Sequence, residues 1–168
     1  MGGAVANQVY NSEIRNINVT GSIHLLEYNP RTAGYSGYVG AIAGSGEAAK
    51  ISSIVATINI KSHQSYKNLV GGIIGMNLHH LTSTERLYGY ISNCVVTATT
   101  TNGESVGGIA GRNSGLISNC SSTGTLAAGL NEISVLPPKL GGIAGVNYGE
   151  IINSRSTATI STSQYKGG

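Results

Sequence analysis

Two segments of this chain have nearly the same sequence: VGGIAGRNSGLISNCSSTGTL at residues 106–126 and LGGIAGVNYGEIINSRSTATI at residues 140–160. Three looser copies precede them, so that there are five copies in total, and each is predicted to open on one strand of small residues around paired glycines. The openings of copies 1 to 5 are GGAVA (2–6), VGAIAG (39–44), VGGIIG (70–75), VGGIAG (106–111) and LGGIAG (140–145). One copy cannot bury its apolar side chains alone, so the copies are expected to stack on one another.

The second part of each copy alternates small or apolar residues with polar ones. In copy 4, Ser122, Gly124 and Leu126 fall on one face, and Thr123 and Thr125 fall on the other. A period of two residues predicts a β-strand, and strands about 4.8 Å apart can bury such a face as one continuous column. The sequence therefore predicts an all-β fold, a parallel β-helix (β-solenoid) of about five coils with loop insertions. We expect residues 1–168 to form a single solenoid domain that is a segment of a larger protein.

Two columns of asparagine recur among the copies. The first column occupies one position in the second part of the copies: Asn16, Ser53 (in copy 2), Asn93, Asn119 and Asn153. Its amides are expected to form a polar ladder inside the stack. The second column follows the glycine strand and consists of Asn77, Asn113 and Asn147. There we expect left-handed turns, because asparagine tolerates that backbone conformation.

The composition argues against several classes of function. The chain has 25 Gly and neither Phe nor Trp, so its core must be built from smaller apolar residues. A net charge of +3 without any run of Lys or Arg predicts no nucleic-acid binding. No apolar run approaches the roughly 20 residues that cross a bilayer, so no membrane span is expected.

The repeat resembles a known family. Its pattern, V-G-G-[IL]-[AV]-G-x-N-x-G-x-I-x-N-[SC]-x-x-T-G, is similar to the GLUG repeat, closely in copies 4 and 5 and more loosely in the others. GLUG repeats occur in bacterial surface proteins, among them adhesins and the non-catalytic regions of immunoglobulin A-cleaving metallopeptidases. The resemblance implies a secreted or cell-surface bacterial module without catalytic residues.

The residues themselves predict no enzyme, no cofactor and no metal site. The chain has no Asp and its seven Glu are scattered, so the paired carboxylates that a glycosidase needs are missing. His79 and His80 are adjacent, and on a strand they would point to opposite faces, which argues against a shared metal. A site that combines them with His24 and His63 is disfavoured.

Cys94 and Cys120 occupy the same repeat position in copies 3 and 4. Stacking at the strand spacing would place their Cα atoms within the roughly 4.4–6.8 Å that a disulfide allows. A pair of inert buried thiols is favoured over a structural disulfide, and the sequence leaves both open. A catalytic role is the least favoured interpretation.

A threonine array is the first surface that could carry a function. Its candidate residues share the outward face of the second strand: Thr20, Thr57, Thr97, Thr99, Thr123, Thr125, Thr157 and Thr159. Regular Thr-x-Thr ladders on β-solenoids resemble the ice-binding face of several antifreeze proteins, which makes ice binding the runner-up function. The stronger interpretation is structural, because β-branched residues stack well on any exposed strand.

The loops form the second candidate surface, at residues 24–38, 61–68, 78–89 and 127–139. Their candidate ligand-binding residues are Tyr28, Arg31, Tyr35, Tyr38, Tyr66, Arg86 and Tyr88. Tyrosine and arginine suit stacking on sugars or holding a protein surface, although the same residues can simply cover the side of the stack. The expected partner is therefore a host or environmental glycan or protein. Uncapped strand edges at the ends also favour end-to-end self-association.

These observations predict a non-enzymatic, extracellular, bacterial adhesin-type module, a rigid stalk with recognition through its loops. One alternative is an ice-binding protein that uses the threonine array. Another is the accessory region of a secreted peptidase. The sequence leaves open the ligand, the source organism, the oligomeric state and the handedness of the solenoid.

Overall fold

The computed structural model describes residues 2–25, 37–62, 68–129 and 137–163. These residues form β-strands joined by turns and bends, and they contain no helix. Every strand pair among them is parallel except one short hairpin. The fold is therefore all-β with parallel sheets, as the repeats predict.

Two of the three parallel sheets are built from the glycine-containing opening of each copy. The first sheet consists of β1 (Gly2–Gly3), β4 (Tyr38–Gly40), β7 (Leu69–Gly71), β13 (Ser105–Gly107) and β17 (Lys139–Gly141). The second consists of β2 (Ala6–Tyr10), β5 (Ala43–Glu47), β8 (Ile74–Leu78), β14 (Ala110–Asn113) and β18 (Ala144–Asn147). Within both sheets the strands follow the order of the copies, so copies adjacent in sequence are adjacent in space.

The third sheet contains the second part of every copy. Its strands are β3 (Glu13–His24), β6 (Lys50–Lys61), β11 (Tyr90–Ser92), β12 (Val95–Thr101), β15 (Leu116–Ser118), β16 (Ser121–Gly129), β19 (Glu150–Ile152), β20 (Arg155–Ser156) and β21 (Thr159–Ser163). Equivalent residues pair across copies, since Thr97 pairs with Thr57 on one side and with Thr123 on the other. Five copies stacked in this register are consistent with the predicted β-helix.

The single glycine strand predicted at the opening of each copy is wrong, because the opening forms two strands. The second glycine and the isoleucine after it separate β7 from β8 in copy 3. Gly71 ends β7, and a Cβ atom at Gly71 would collide with the carbonyl oxygen of Ile74 and lie 2.7 Å from the Cα of Ala110. Only a residue without a side chain lets the chain bend here from one sheet into the next.

One core collects side chains from all three sheets. The predicted inward face of the third sheet is confirmed in the middle copies, where Ile54, Val96 and Leu126 are fully buried. Ile73, at the bend between the first two sheets, is also fully buried. The end copies bury less of the same face, and Ile160 in copy 5 is 48% exposed. The hydrophobic stabilisation is therefore concentrated in the middle of the stack.

The first asparagine column does not have the role that was predicted for it. Its members are exposed and have φ angles between 48° and 57°: Asn16, Ser53, Asn93, Asn119 and Asn153. Asparagine adopts this left-handed conformation more readily than other residues with a side chain. The column therefore provides the bends of the third sheet, and the interior ladder predicted for it is wrong.

The interior ladder is formed by the second column instead. Asn77 donates from Nδ2 to Oδ1 of Asn113 at 2.8 Å, and Asn113 donates in the same way to Asn147 at 2.8 Å. Asn77 and Asn113 are buried, and all three residues lie in strands, so the left-handed turns predicted here are wrong. The hydrogen bonds between equivalent amides replace the hydrogen bonds to water that these side chains lose when the copies stack.

The insertion between β8 and β11 forms a hairpin of two short antiparallel strands. These are β9 (His80–Leu81) and β10 (Arg86–Leu87). The backbone N–H of Glu85 donates to Oγ1 of Thr82 at 2.8 Å and closes the turn. The other three predicted insertions lie mostly outside the described residues.

The stack has an unpaired strand edge at both ends of its described part. The strand β3 pairs only with β6, and the three strands of copy 5 in the third sheet pair only with strands of copy 4. Ile151 and Ile152 at the copy 5 end are exposed. These edges agree with the expected end-to-end contacts, which stay a prediction.

The asparagine ladder leads to a first prediction. The Asn113→Ala variant removes the middle rung and leaves buried polar atoms of its neighbours unpaired, so the free energy of unfolding should fall by about 3 kcal/mol. The Asn147→Ala variant removes an exposed rung and should lose about 1 kcal/mol. Urea denaturation followed by circular dichroism measures both values. Equal losses in the two variants would contradict a buried ladder.

The bend at Gly71 leads to a second prediction. Alanine at Gly71 meets backbone atoms that cannot move, so the Gly71→Ala variant should lose about 3 kcal/mol of stability. The matched control is Gly142→Ala in copy 5, where a Cβ atom would meet only the side chain of Ser156. That variant should lose about 1 kcal/mol in the same denaturation experiment. A Gly71→Ala protein as stable as the wild type would show that the bend does not require glycine.

Candidate recognition groove and threonine face

A groove of about 570 Å³ runs across copies 3 to 5 where the second sheet meets the third. We call it the tyrosine groove and define it by the side chains that line it: His79, Arg86, Tyr88, Tyr90, Arg112, Ser114, Leu116, Tyr148 and Glu150. Its volume is in the range of pockets that hold small organic ligands.

Glycine backbones form the floor of the groove. Gly115 and Gly149 line it, and a Cβ atom at Gly149 would collide with the backbone of Gly115. The asparagine ladder fixes this floor, because Nδ2 of Asn113 donates to the carbonyl of Gly115 at 3.1 Å. Asn147 donates in the same way to Gly149 at 2.9 Å. The floor is therefore rigid, and its position follows from the repeat itself.

The position before the floor glycine gives the groove its walls. This position is Tyr88 in copy 3, Ser114 in copy 4 and Tyr148 in copy 5. Ser114 therefore carries a smaller side chain than the equivalent residues of copies 3 and 5. A notch opens at copy 4 because the neighbouring copies carry the larger residue.

The tyrosines of the groove present ring surface to solvent. Tyr88 is 43% exposed, Tyr90 is 41% exposed and Tyr148 is 69% exposed. The ring of His79 lies 6.2 Å from the ring of Tyr88, centroid to centroid. Exposed tyrosine rings that line a concave surface are typical of recognition sites, because each combines an apolar face with a hydroxyl group.

Arg112 supplies a cation to the groove. Its guanidinium carbon lies 4.7 Å from the centroid of the Tyr148 ring, a cation–π contact. Arg112 lies on β14, and the residues in register with it are the apolar Met76 of β8 and Val146 of β18. Nε of Arg112 is buried without a hydrogen-bond partner, and within the described ranges no carboxylate forms an ion pair with this residue. The cation is therefore held in place without a protein anion to neutralise it.

The structure brings together two of the predicted loop residues, Arg86 and Tyr88, in this groove. Tyr38 is not in a loop, since it begins β4, and it does not line the groove. The other predicted loop residues, Tyr28, Arg31, Tyr35 and Tyr66, lie outside the described residues.

Sequence reasoning missed the groove residues that lie inside the repeats, above all Tyr90, Arg112 and Tyr148. A signal for them exists in the columns of the repeat. Arg112 stands where copies 3 and 5 have Met76 and Val146, and it is the one charged residue among these three aligned positions. Departures from the repeat pattern, rather than the pattern itself, identify this site.

The threonine array is in register on the outer face of the third sheet. Thr20, Thr57, Thr97 and Thr123 form one row, and Ser22, Asn59, Thr99, Thr125 and Thr159 form the next. Thr157 lies in copy 5, where its backbone N–H donates to the carbonyl of Ser122 at 2.9 Å. The hydroxyls of Thr97 and Thr123 are 3.1 Å apart and bond to each other, so part of the array is satisfied within the protein.

The two adjacent histidines point to different partners, as predicted for a strand. His79 lines the groove, whereas Nδ1 of His80 lies 2.6 Å from Oε1 of Glu47. The hydroxyl of Tyr10 lies 3.0 Å from Nε2 of His80. Within the described part of the chain, no three His, Cys or Glu side chains are close enough together to hold a metal ion.

Cys94 and Cys120 are free thiols, both buried at equivalent positions of copies 3 and 4. The hydrogen bond between the two side chains raises the pKa of Cys94, and burial raises it further. The same bond lowers the pKa of Cys120, against the opposing effect of burial. Because both thiols are buried, reagents in solution do not reach them in the folded protein.

The comparisons with known proteins identify one segment of the chain. The family model of the GLUG motif matches residues 102–127. This segment is therefore a GLUG motif, and the resemblance predicted from the repeats is confirmed. No curated protein and no solved structure matches the chain significantly. No helix of the described residues has the length and hydrophobicity needed to cross a membrane.

The buried thiols lead to a third prediction. In the folded protein, Cys94 and Cys120 should react with Ellman's reagent at least about a hundredfold more slowly than in guanidinium, because the reagent must wait for local unfolding. Absorbance at the thionitrobenzoate band measures the rate and the number of thiols. Two thiols should react after unfolding, and a count of zero would contradict the free thiols of this structure.

Proposed function

We propose that the chain is a β-solenoid domain that acts as a non-enzymatic, extracellular, bacterial adhesin-type module. The GLUG motif at residues 102–127 supports this assignment, since adhesin-like and peptidase-associated repeats share it. The in-register parallel sheets support the solenoid, because each copy adds strands to the same three sheets beside the previous copy. An accessory region of a secreted peptidase would have the same local properties.

The tyrosine groove is the part of the module to which we assign recognition. The observation that carries this proposal is the notch at Ser114 between Tyr88 and Tyr148, with the unpaired cation of Arg112 beside it. Large aromatic residues and arginine contribute most to affinity in recognition sites, and tyrosine buries much surface at a low cost in conformational entropy. The expected partner is a glycan or protein on a host or environmental surface.

The fourth prediction tests recognition by this groove. Beads coated with the wild-type protein should adhere to cultured epithelial cells or to a glycan array, and beads coated with the Tyr88→Ala/Tyr148→Ala variant should lose at least about tenfold of this binding. The matched control is Tyr10→Ala, which removes a tyrosine of similar exposure outside the groove. Adhesion that survives in the double variant would locate recognition elsewhere on the chain.

Ice binding by the threonine array is the second candidate function, and the register of its two rows favours it. The array is interrupted by Asn59 and Ser22, and Val55 and Val95 are exposed beside it. The hydrogen bond between Thr97 and Thr123 further reduces the number of hydroxyls that can bond to ice. These features make recognition by the groove the better supported function.

The fifth prediction separates the two functions. A microlitre-scale measurement of thermal hysteresis and crystal shape should give round ice crystals for the wild type, because the array is broken and partly bonded to itself. Faceted crystals that become round with Thr99→Tyr, but not with Tyr148→Ala, would establish the threonine face as the active surface and refute the preference for the groove.

A further inference from the structure

We propose that the tyrosine groove binds a saccharide that carries a carboxylate, with one sugar ring over Ser114 between Tyr88 and Tyr148 and the carboxylate on Arg112. This inference rests on the proposed recognition function and names the chemical class of its ligand.

The width of the notch determines the size of the group that can enter it. Gly89 and Gly149, which follow the two tyrosines, belong to copies 3 and 5, and two strand spacings separate the backbones of such copies by about 9–10 Å. An aromatic ring in van der Waals contact needs about 3.5–4 Å on each of its faces. A single saturated ring is therefore the group that we expect in the notch, with its C–H bonds against the ring of Tyr88 and its hydroxyls near the tyrosine hydroxyls. A long aliphatic chain would leave the tyrosine hydroxyls without partners.

The floor of the notch does not supply the specificity. The carbonyl of Gly115 already accepts from Nδ2 of Asn113 and from the backbone N–H of Glu150, at 3.1 and 2.9 Å. The carbonyl of Gly149 accepts from Asn147. Because the Gly115 carbonyl already accepts two hydrogen bonds and the Gly149 carbonyl accepts one, we expect the side chains around the floor to bind most of the polar groups on the ligand.

Arg112 selects the charge of the ligand. Its guanidinium lies over the ring of Tyr148, the residues in register with Arg112 are Met76 and Val146, and no carboxylate among the described residues forms an ion pair with it. An arginine placed in this way gains from a planar carboxylate, which can accept two parallel hydrogen bonds from the guanidinium. Nε of Arg112 is buried, so the donors available for this contact are the terminal N–H groups of the guanidinium, which lines the groove.

Glu150 limits how many negative charges the ligand can carry. Its carboxylate lines the same groove and can accept hydrogen bonds from sugar hydroxyls, but it repels a second anionic group nearby. Arg86 lies at the opposite end of the groove, in copy 3, and is exposed to solvent. Its attraction to an anionic ligand is therefore weakened by water and salt. The groove therefore favours one acidic sugar flanked by neutral hydroxyl-bearing groups over a densely charged polyanion.

Two pairs of probes test this inference by isothermal titration calorimetry on the whole chain. The first pair is trigalacturonic acid and the neutral trisaccharide of galactose, and the second is sialyllactose and lactose. In at least one pair the wild type should bind the acidic member about tenfold more tightly than the neutral one. The pair that shows the preference distinguishes a uronic acid from a sialic acid as the source of the carboxylate.

Variants of the groove assign the preference to its residues. Arg112→Gln should lose the tenfold preference for the acidic probe over the neutral one. The matched control Arg155→Gln removes an exposed arginine from the third sheet and should keep the preference. Ser114→Tyr places in the notch the residue that copies 3 and 5 already carry, and it should abolish binding of both probes. Ser114→Ala leaves the notch open and should keep binding.

The results also distinguish this inference from the proposed function. A preference that survives in Arg112→Gln, or binding that survives in a folded Ser114→Tyr protein, would overturn the acidic-sugar inference. If no probe binds but the wild-type beads still adhere to cells through Tyr88 and Tyr148, the inference is wrong and the recognition function stands. If adhesion is absent as well, both are wrong.

Discussion

The structure depends on one constraint, the parallel in-register pairing of equivalent residues from one copy to the next. Because every residue lies about 4.8 Å from its equivalent, each column must contain groups that tolerate their own neighbours at that distance. Glycine satisfies this at the bend after Gly71, where backbones touch, and buried asparagine satisfies it at Asn113 by bonding to its equivalents on both sides. The core and the groove both follow from these columns.

The fold was largely predictable because its signals are local. The alternation that places Val96 and Leu126 inside can be read within a few residues, and the structure confirms it. The two asparagine columns could not be assigned correctly in the same way. Asn119 and Asn113 are the same residue type close together in one copy. Only the backbone conformation at each position decides that Asn119 bends the chain and that the side chain of Asn113 points inward.

The groove was predictable only in part. Arg86 and Tyr88 stand out in an insertion, where aromatic and basic residues are a recognised signal for binding. Ser114 and Tyr148 give no such signal alone, because serine and tyrosine are ordinary residues at a turn. They indicate a site only because side-chain size differs between adjacent copies at one repeat position. That difference can be recognised only when the register of the copies is known.

The placement of the groove across three copies has a mechanical consequence. Its two tyrosine walls belong to copies 3 and 5, which are connected through the hydrogen bonds that each makes with copy 4. In a linear stack, the stability of each interface depends on its nearest neighbours. A bound ligand that touches both walls bridges two of these interfaces, so occupancy strengthens the stack across copies 3 to 5. Tension along the stack would separate the walls and release the ligand, whereas a sideways load would not.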